Sequence, residues 1–141
     1  MAAVDNSEYA QSVAREVARL APETNADVIL VSVVPVPALP ASNGDIDSKS
    51  LSEEEKEFQD LHKTLIESYF VPSSGVMVES KILHGNPGDK IVEYADKAEA
   101  DLIVVGSRGR GKLASAVLGS VSEHVVHKSK RSVLVVKQTA I

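Results

Sequence analysis

Four glycines and a serine between residues 106 and 120 have the most distinctive spacing in this 141-residue chain. Gly106, Gly109 and Gly111 directly follow an apolar, β-branched run, and Gly119-Ser120 precedes residues with helical spacing. Main-chain N–H groups in such a loop can turn inward and bind an anion. Glycine permits positive φ angles and lets an anion approach the backbone closely. The spacing therefore predicts an anion-binding loop between a strand and a helix.

Two common phosphate-binding motifs fit this loop only in part. Residues 106–112 give G-x-x-x-x-G-K, but Leu113 follows where a P-loop has the Ser or Thr that binds Mg²⁺. Residues 109–114 match the looser dinucleotide pattern, with Ala114 in its last position. That pattern belongs after the first strand of a domain, with an acidic residue about 20 positions further on. Neither motif accounts for the loop.

The elements that must position this loop alternate between two kinds of pattern. Apolar, β-branched runs predict strands at Met1–Val4, Asp27–Val34, Val76–Leu83, Asp101–Val105 and Ser132–Lys137. Apolar residues at helical spacing predict helices from Ala10 to a stop at Pro22 and Asn25, from a Ser52 capping box to about Phe70, from Pro87 behind an Asn86 N-cap, and over Ser115–Lys128. Residues 35–50 are rich in Pro, Ser, Asn and Asp and predict a long loop.

Alternating strands and helices in one domain, residues 1–141, predict an α/β fold with a five-stranded parallel sheet and right-handed crossovers. The pattern alone allows the strand order 2-1-3-4-5 or 3-2-1-4-5. In both orders a ligand binds at the carboxyl ends of the strands, near the point where the order reverses.

Composition narrows the class of partner. The net charge of −5 does not favour binding to nucleic acid, which requires a basic surface. There is no cysteine, and no apolar run is long enough to span a bilayer or to form a signal-peptide core. We therefore expect a cytoplasmic protein that binds neither nucleic acid nor membrane.

A third glycine pattern fits the loop completely. Gly106-x2-Gly109-x9-Gly119-Ser120 resembles the G-2x-G-9x-G-(S/T) motif of the ATP-binding universal stress proteins. Further resemblances to that family extend over the rest of the chain, in the segments AVDNSE, VILVSVVP, GNPGDKIVEYA, ADLIVVGSRGRG and SVLVVK. The resemblance implies a Rossmann-like fold of the adenine nucleotide alpha hydrolase type, with helices on both faces and strand order 3-2-1-4-5. It also implies a regulatory role in the stress response and homodimers that pair through the fifth strand, Ser132–Lys137.

The resemblance also implies which residues bind the nucleotide, namely ATP with or without Mg²⁺. The nucleoside is expected at Asp5 and at the backbone of Val33, the ribose beside residues 106–107, and the phosphates at residue 109 and residues 119–121. The full set is Val4, Asp5, Val33, Gly106, Ser107, Arg108, Gly109, Gly119, Ser120 and Val121. Only Met1–Val4 precede Asp5, which is fewer residues than the first strand of the family has. We therefore expect either a shortened central strand or a start upstream of Met1.

Several other interpretations remain open at this level. The chain could be a dimeric adaptor that binds no nucleotide, or a slow ATPase, although no set of residues indicates a nucleophile or general base, so we do not predict an enzyme. Asp5 or Ser120 could simply cap a helix, and Arg108 could be an exposed loop charge. His124 and His127 lie three residues apart on a predicted helix, a spacing that suits a metal, but exposed or partly buried histidines without a metal are the simpler interpretation.

Overall fold

A computed structural model describes residues 1–37, 48–109 and 118–138. Five strands form one parallel sheet with the order β3-β2-β1-β4-β5. Their bounds are β1 Ala2–Ala3, β2 Val28–Pro35, β3 Val78–Gly85, β4 Leu102–Gly106 and β5 Ser132–Val136. The order 3-2-1-4-5 that the resemblance implied is confirmed, and the alternative order 2-1-3-4-5 is wrong.

Within the described residues, four helices surround the sheet, and a 3₁₀ turn lies at Pro72–Ser74. They are α1 Tyr9–Thr24, α2 Ser48–Tyr69, α3 Pro87–Lys97 and α4 Ser120–Lys128. Alternate strand residues pack on opposite faces, as period-2 side chains must. Val104 packs with α1 and α2, whereas Ile103 and Val105 pack with α3 and α4. The protein therefore has three layers, with α1 and α2 on one face and α3 and α4 on the other.

The predicted helix bounds are confirmed in part. Helix α1 continues through Pro22 to Thr24, and the predicted stop at Asn25 is confirmed, because Asn25 is the C-cap in a left-handed conformation (φ 54°). Pro22 lacks the N–H that would complete one hydrogen bond of the ladder, and the helix continues for two more residues. Helix α2 begins at Ser48, so the predicted Ser52 cap lies inside the helix. The predicted N-cap of α3 is confirmed, because Asn86 Oδ1 accepts the Asp89 amide at 3.1 Å.

Helix α4 begins later than predicted. Leu118 and Gly119 are not helical, and Gly119 is the N-cap of a helix that starts at Ser120. The start predicted at Ser115, the third glycine of the loop and most of the predicted 35–50 loop lie outside the described residues. Glycine weakens a helix interior because its backbone loses the most freedom on ordering, which explains why the helix starts after Gly119.

The central strand is as short as expected, with two residues between the longer strands β2 and β4. Its pairing extends slightly further, because the Val4 amide donates to the Val31 carbonyl oxygen at 2.9 Å. Val4 is buried, so the chain stays fixed up to the residue before Asp5. The early end of β1 leaves a notch in the sheet between the carboxyl ends of β2 and β4.

Candidate functional site

A cavity of about 240 Å³ opens at this notch. It lies at the carboxyl ends of β1, β2 and β4, where the strand order reverses and where open α/β sheets bind ligands. Nine residues predicted from the sequence line it: Val4, Asp5, Val33, Gly106, Arg108, Gly109, Gly119, Ser120 and Val121. Segments that are far apart in the chain are thus brought together at one site.

The main chain of β2 faces the notch at Val33. Along a strand, the N–H and C=O groups of alternate residues point to opposite edges. The Val31 carbonyl oxygen accepts from β1, whereas the amides of Val28 and Val36 donate towards β3. Val33 must therefore direct its N–H and C=O towards β1, beyond the point where β1 ends. Within the part of the chain that the structure describes, no partner for either group is recorded.

Asp5 lies at the end of the notch, immediately after β1. Its Oδ1 accepts the Ser7 amide at 2.9 Å, which forms a tight turn ahead of α1. The N-cap residue of α1 is Glu8, so the interpretation of Asp5 as a helix cap is wrong. Its Oδ2 lies only 2.7 Å from the position that a Cβ on residue 109 would occupy. The Asp5 carboxylate and Gly109 therefore lie next to each other in the lining of the cavity.

The glycines of the motif are needed for close approach rather than for unusual backbone angles. Among the described glycines only Gly75 and Gly85 have positive φ, so the expectation of positive φ is wrong for the three described glycines of the motif. A Cβ on Gly106 would lie 2.9 Å from Tyr9 Cβ, and a Cβ on Gly119 would lie 3.2 Å from Arg108 Cα. Since real Cβ atoms rarely come this close, side chains at these positions would separate the loop from α1 and α4.

Ser107 joins the end of β4 to the start of α4. Its amide donates to the Val136 carbonyl oxygen at 2.8 Å, and its own carbonyl oxygen accepts the Gly119 amide at 2.7 Å and Ser122 Oγ at 3.1 Å. Ser107 is buried and is not among the residues that line the cavity, so its predicted contact with the ribose stays a prediction. The Gly119 amide, predicted to bind phosphate, is already bonded internally in this structure.

The first turn of α4 supplies different donors. The amides of Ser120, Val121 and Ser122 have no carbonyl one turn earlier in the helix to bond. The N-cap of α4 is Gly119, so the interpretation of Ser120 as the N-cap is wrong. Because glycine has no side chain, it cannot cap these amides. Ser120 is exposed and lines the cavity, which leaves its hydroxyl accessible. These amides and the positive end of the helix dipole favour an anion at this end of the cavity.

The apolar wall of the cavity was not predicted. Tyr9 from α1, Pro35 from β2, and Pro87 and Ile91 from α3 line it. Ile91 packs in the same cluster as Val33 and Val105, beneath the notch. Ile91 belongs to the buried face of α3, and the strand order brings this part of the core to the border of the cavity.

A second feature that sequence reasoning missed is a buried histidine on α2. His62 is fully buried, and both of its ring nitrogens contact serine hydroxyls, Nε2 with Ser32 Oγ at 2.8 Å and Nδ1 with Ser80 Oγ at 2.6 Å. Burial lowers the pKa of the imidazole to about 4, so the ring is neutral near pH 7. The signal was present in the sequence, because His62 lies four residues after Phe58 and three before Leu65 on the buried stripe of α2.

On α4, His124 is half-buried and His127 is exposed. His124 Nε2 lies 2.9 Å from Asp89 Oδ1, which links α4 to the first turn of α3. A Cβ on Gly88 would lie 2.7 Å from the His124 ring, so the two helices pack closely here. No group of three metal-ligating side chains was found among the described residues. Nor is any helix within them long and apolar enough to cross a membrane.

Comparison with known proteins agrees with this architecture. Residues 1–137 match the model of the universal stress protein family. A universal stress protein of Methanocaldococcus jannaschii is 36% identical over 138 residues, which cover 95% of this chain and 78% of that protein.

Two similar solved structures contain adenine nucleotides. A universal stress protein in complex with cAMP has a TM-score of 0.73 and 26% identity, covering 98% of this chain and 95% of that one. The universal stress protein from Archaeoglobus fulgidus in complex with dAMP has a TM-score of 0.67 and 27% identity, covering 96% and 94%. On the family match and on the identity to the Methanocaldococcus protein, this chain belongs to the universal stress protein family.

Proposed function

We propose that this protein binds ATP in the cavity at the notch and acts in the cytoplasm as a nucleotide-dependent regulator in the stress response. The observation that carries the proposal is that two sets of main-chain groups face one cavity. The main chain of Val33 faces it from one side, and the first-turn amides of α4 face it from the other. Relatives of similar fold bind cAMP and dAMP, which supports an adenine nucleotide as the ligand class.

The Val33 main chain suits adenine rather than guanine. A strand residue presents its N–H and C=O side by side, which matches the acceptor N1 and the donor amino group of adenine. Guanine presents a donor and an acceptor in the opposite order, so both contacts become repulsive. Buried polar groups left without partners cost much more than a lost apolar contact. Asp5 Oδ2, for which the described residues provide no recorded donor, would accept a ribose hydroxyl.

The phosphates belong at the other end of the cavity in this proposal. The amides of Ser120 and Val121 and the Ser120 hydroxyl donate to them, and Gly109 provides space beside Asp5. Arg108 lines the same region and adds positive charge. A Mg²⁺ ion fits as a partner of the phosphates, because Mg²⁺ commonly binds through one or two carboxylates and the substrate's own oxygens. Asp5 is the carboxylate among the described lining residues.

Isothermal titration with ATP and GTP tests the proposal. We expect ATP to bind at least tenfold more tightly than GTP, a difference of about 1.4 kcal/mol, because the Val33 main chain fits only adenine. Mass spectrometry of the small molecules released from denatured protein would identify a co-purified nucleotide. Absence of heat with both nucleotides would favour an adaptor that binds no nucleotide, and equal affinity would contradict recognition by Val33.

Slow ATP hydrolysis is a second candidate activity, with one observation in its favour. Asp5, a carboxylate, borders the region proposed for the phosphates. The other ionisable side chains in the described lining are those of Tyr9 and Arg108, neither of which is a general base at neutral pH. Phosphate release that stops in Asp5→Ala while ATP binding persists would establish the ATPase; no release above background would leave a binding protein.

We propose that the protein forms a homodimer through β5, which lies at the edge of the sheet. The Val136 carbonyl oxygen points towards β4, because it accepts the Ser107 amide, so the N–H and C=O of Val135 point away from the sheet. Residues 133–136 are all partly exposed and apolar. An apolar edge strand with free main-chain groups readily pairs with another strand.

Val135→Pro tests this interface, because proline removes the outward N–H and leaves the pairing with β4 intact. We expect light scattering to report a dimer for the wild type and a monomer for Val135→Pro. The matched control is Val135→Thr, which has a similar shape, keeps the N–H and should remain dimeric. A wild-type monomer, or a dimeric proline variant, would contradict the interface.

A further inference from the structure

Hydrogen bonds link His62 on α2 to Ser80 on one side and, through Ser32, to the Val4 carbonyl oxygen on the other, and all of them donate in the same direction. Ser32 Oγ lies 2.6 Å from the Val4 carbonyl oxygen, which can only accept, so the Ser32 proton is directed there. Ser32 Oγ must then accept from His62 Nε2, which therefore carries the ring proton. His62 Nδ1 is left as an acceptor for the Ser80 hydroxyl. The chain runs from Ser80 on β3, through the buried ring, to the last residue before Asp5.

The end of this chain lies where sheet pairing stops. The Val4 amide donates to the Val31 carbonyl oxygen, and in a parallel ladder the next bond would run from the Val33 amide to the Val4 carbonyl oxygen. The described residues do not make that bond, and the Val4 carbonyl oxygen accepts the Ser32 hydroxyl at the same place. A side chain thus bonds the Val4 carbonyl oxygen where the ladder stops.

We propose that His62 is a positioning residue for nucleotide binding: by holding the Ser32 hydroxyl on the Val4 carbonyl, it ends the pairing of β1 with β2 and keeps the Val33 amide available to the ligand. The inference rests on the proposed function and adds to it His62, which is not among the residues that line the cavity. Ser32 and His62 are both buried, so a single arrangement is maintained. The low pKa of the ring keeps it neutral, which preserves the direction of the chain.

Hydrogen exchange at the Val33 amide, followed by NMR without nucleotide, tests the inference directly. In Ser32→Ala and in His62→Phe we expect exchange at this amide to slow at least tenfold, since the Val4 carbonyl becomes free to accept it. A variant that merely loosens the structure would speed exchange. His62→Gln should behave like the wild type, because its amide nitrogen can replace the Nε2 donor. Leu65→Val, a core change one turn further along α2, is the matched control and should not slow exchange at this amide.

Titration with ATP provides the second measurement. We expect Ser32→Ala and His62→Phe to bind ATP about fivefold more weakly, the effect of one lost hydrogen bond, and His62→Gln and Leu65→Val to bind it like the wild type. Unchanged or faster Val33 exchange in folded Ser32→Ala would overturn the inference while leaving the proposed function intact. Wild-type protein that binds no ATP would overturn the proposed function, and the role of His62 in nucleotide binding with it. Ser32→Ala removes only one hydroxyl group, so it tests the inference even if His62→Phe does not fold.

Discussion

Gly109→Val is expected to weaken ATP binding at least tenfold, about 1.4 kcal/mol. A Cβ at this position would lie 2.7 Å from Asp5 Oδ2, so the carboxylate would have to move. The two methyl groups would occupy the space beside it that we assign to the phosphates. Isothermal titration measures the loss, and a urea denaturation curve establishes that the variant is folded.

A double-mutant cycle with Asp5→Ala separates the clash with the Asp5 carboxylate from the loss of space for the phosphates. If the contact with Asp5 dominates, Gly109→Ala should weaken binding clearly in the wild-type background and much less in the Asp5→Ala background. If the loss of space for phosphate dominates, the two backgrounds should give equal losses for Gly109→Val. A folded Gly109→Val protein with wild-type affinity would contradict the placement of the phosphates.

Acidification is expected to remove about 3 kcal/mol of stability through His62 alone. The folded pKa of this ring is about 4, below the ordinary value of 6.5, because burial disfavours the charged form. The unfolded chain therefore binds more protons than the folded one between these two values. The contribution is fully present above pH 6.5 and is lost as the pH falls towards 4, at up to about 1.4 kcal/mol per pH unit.

Urea denaturation across this range measures the loss, and His62→Gln is the control because it cannot titrate. Carboxylates and the other histidines titrate in both proteins, so the difference between the two pH profiles isolates His62. We expect the wild type to lose stability more steeply than the variant below pH 6.5. Parallel profiles would show that the ring is not held neutral by burial.

The sequence predicted the fold better than it predicted the contacts of the site. Apolar, β-branched runs indicated the five strands, and apolar residues at helical spacing indicated the four helices, that the described residues form. Burial between layers leaves both patterns in the sequence. The strand order did not follow from those patterns, which allow two arrangements; it came from the resemblance carried by the glycine motif.

Within the site, spacing identified positions but not their contacts. The motif predicted that Gly109 and Gly119 belong to the site, and both line the cavity. It did not show that the Gly119 amide is bonded to the Ser107 carbonyl oxygen. Such a bond depends on how closely α4 approaches β4, which is a tertiary property. The Ser32–His62 pair is separated by 30 positions and is joined only by the packing of α2 on β2.

The two-residue length of β1 has a consequence for how this family member tolerates sequence change. A binding surface made from an interrupted sheet depends on peptide groups, which every residue except proline provides in full. In the proposed site, we therefore expect substitutions among β-branched residues at position 33 to leave base selectivity unchanged. We expect changes at Ser32 and His62, whose side chains hydrogen-bond beside the interruption, to be tolerated less well.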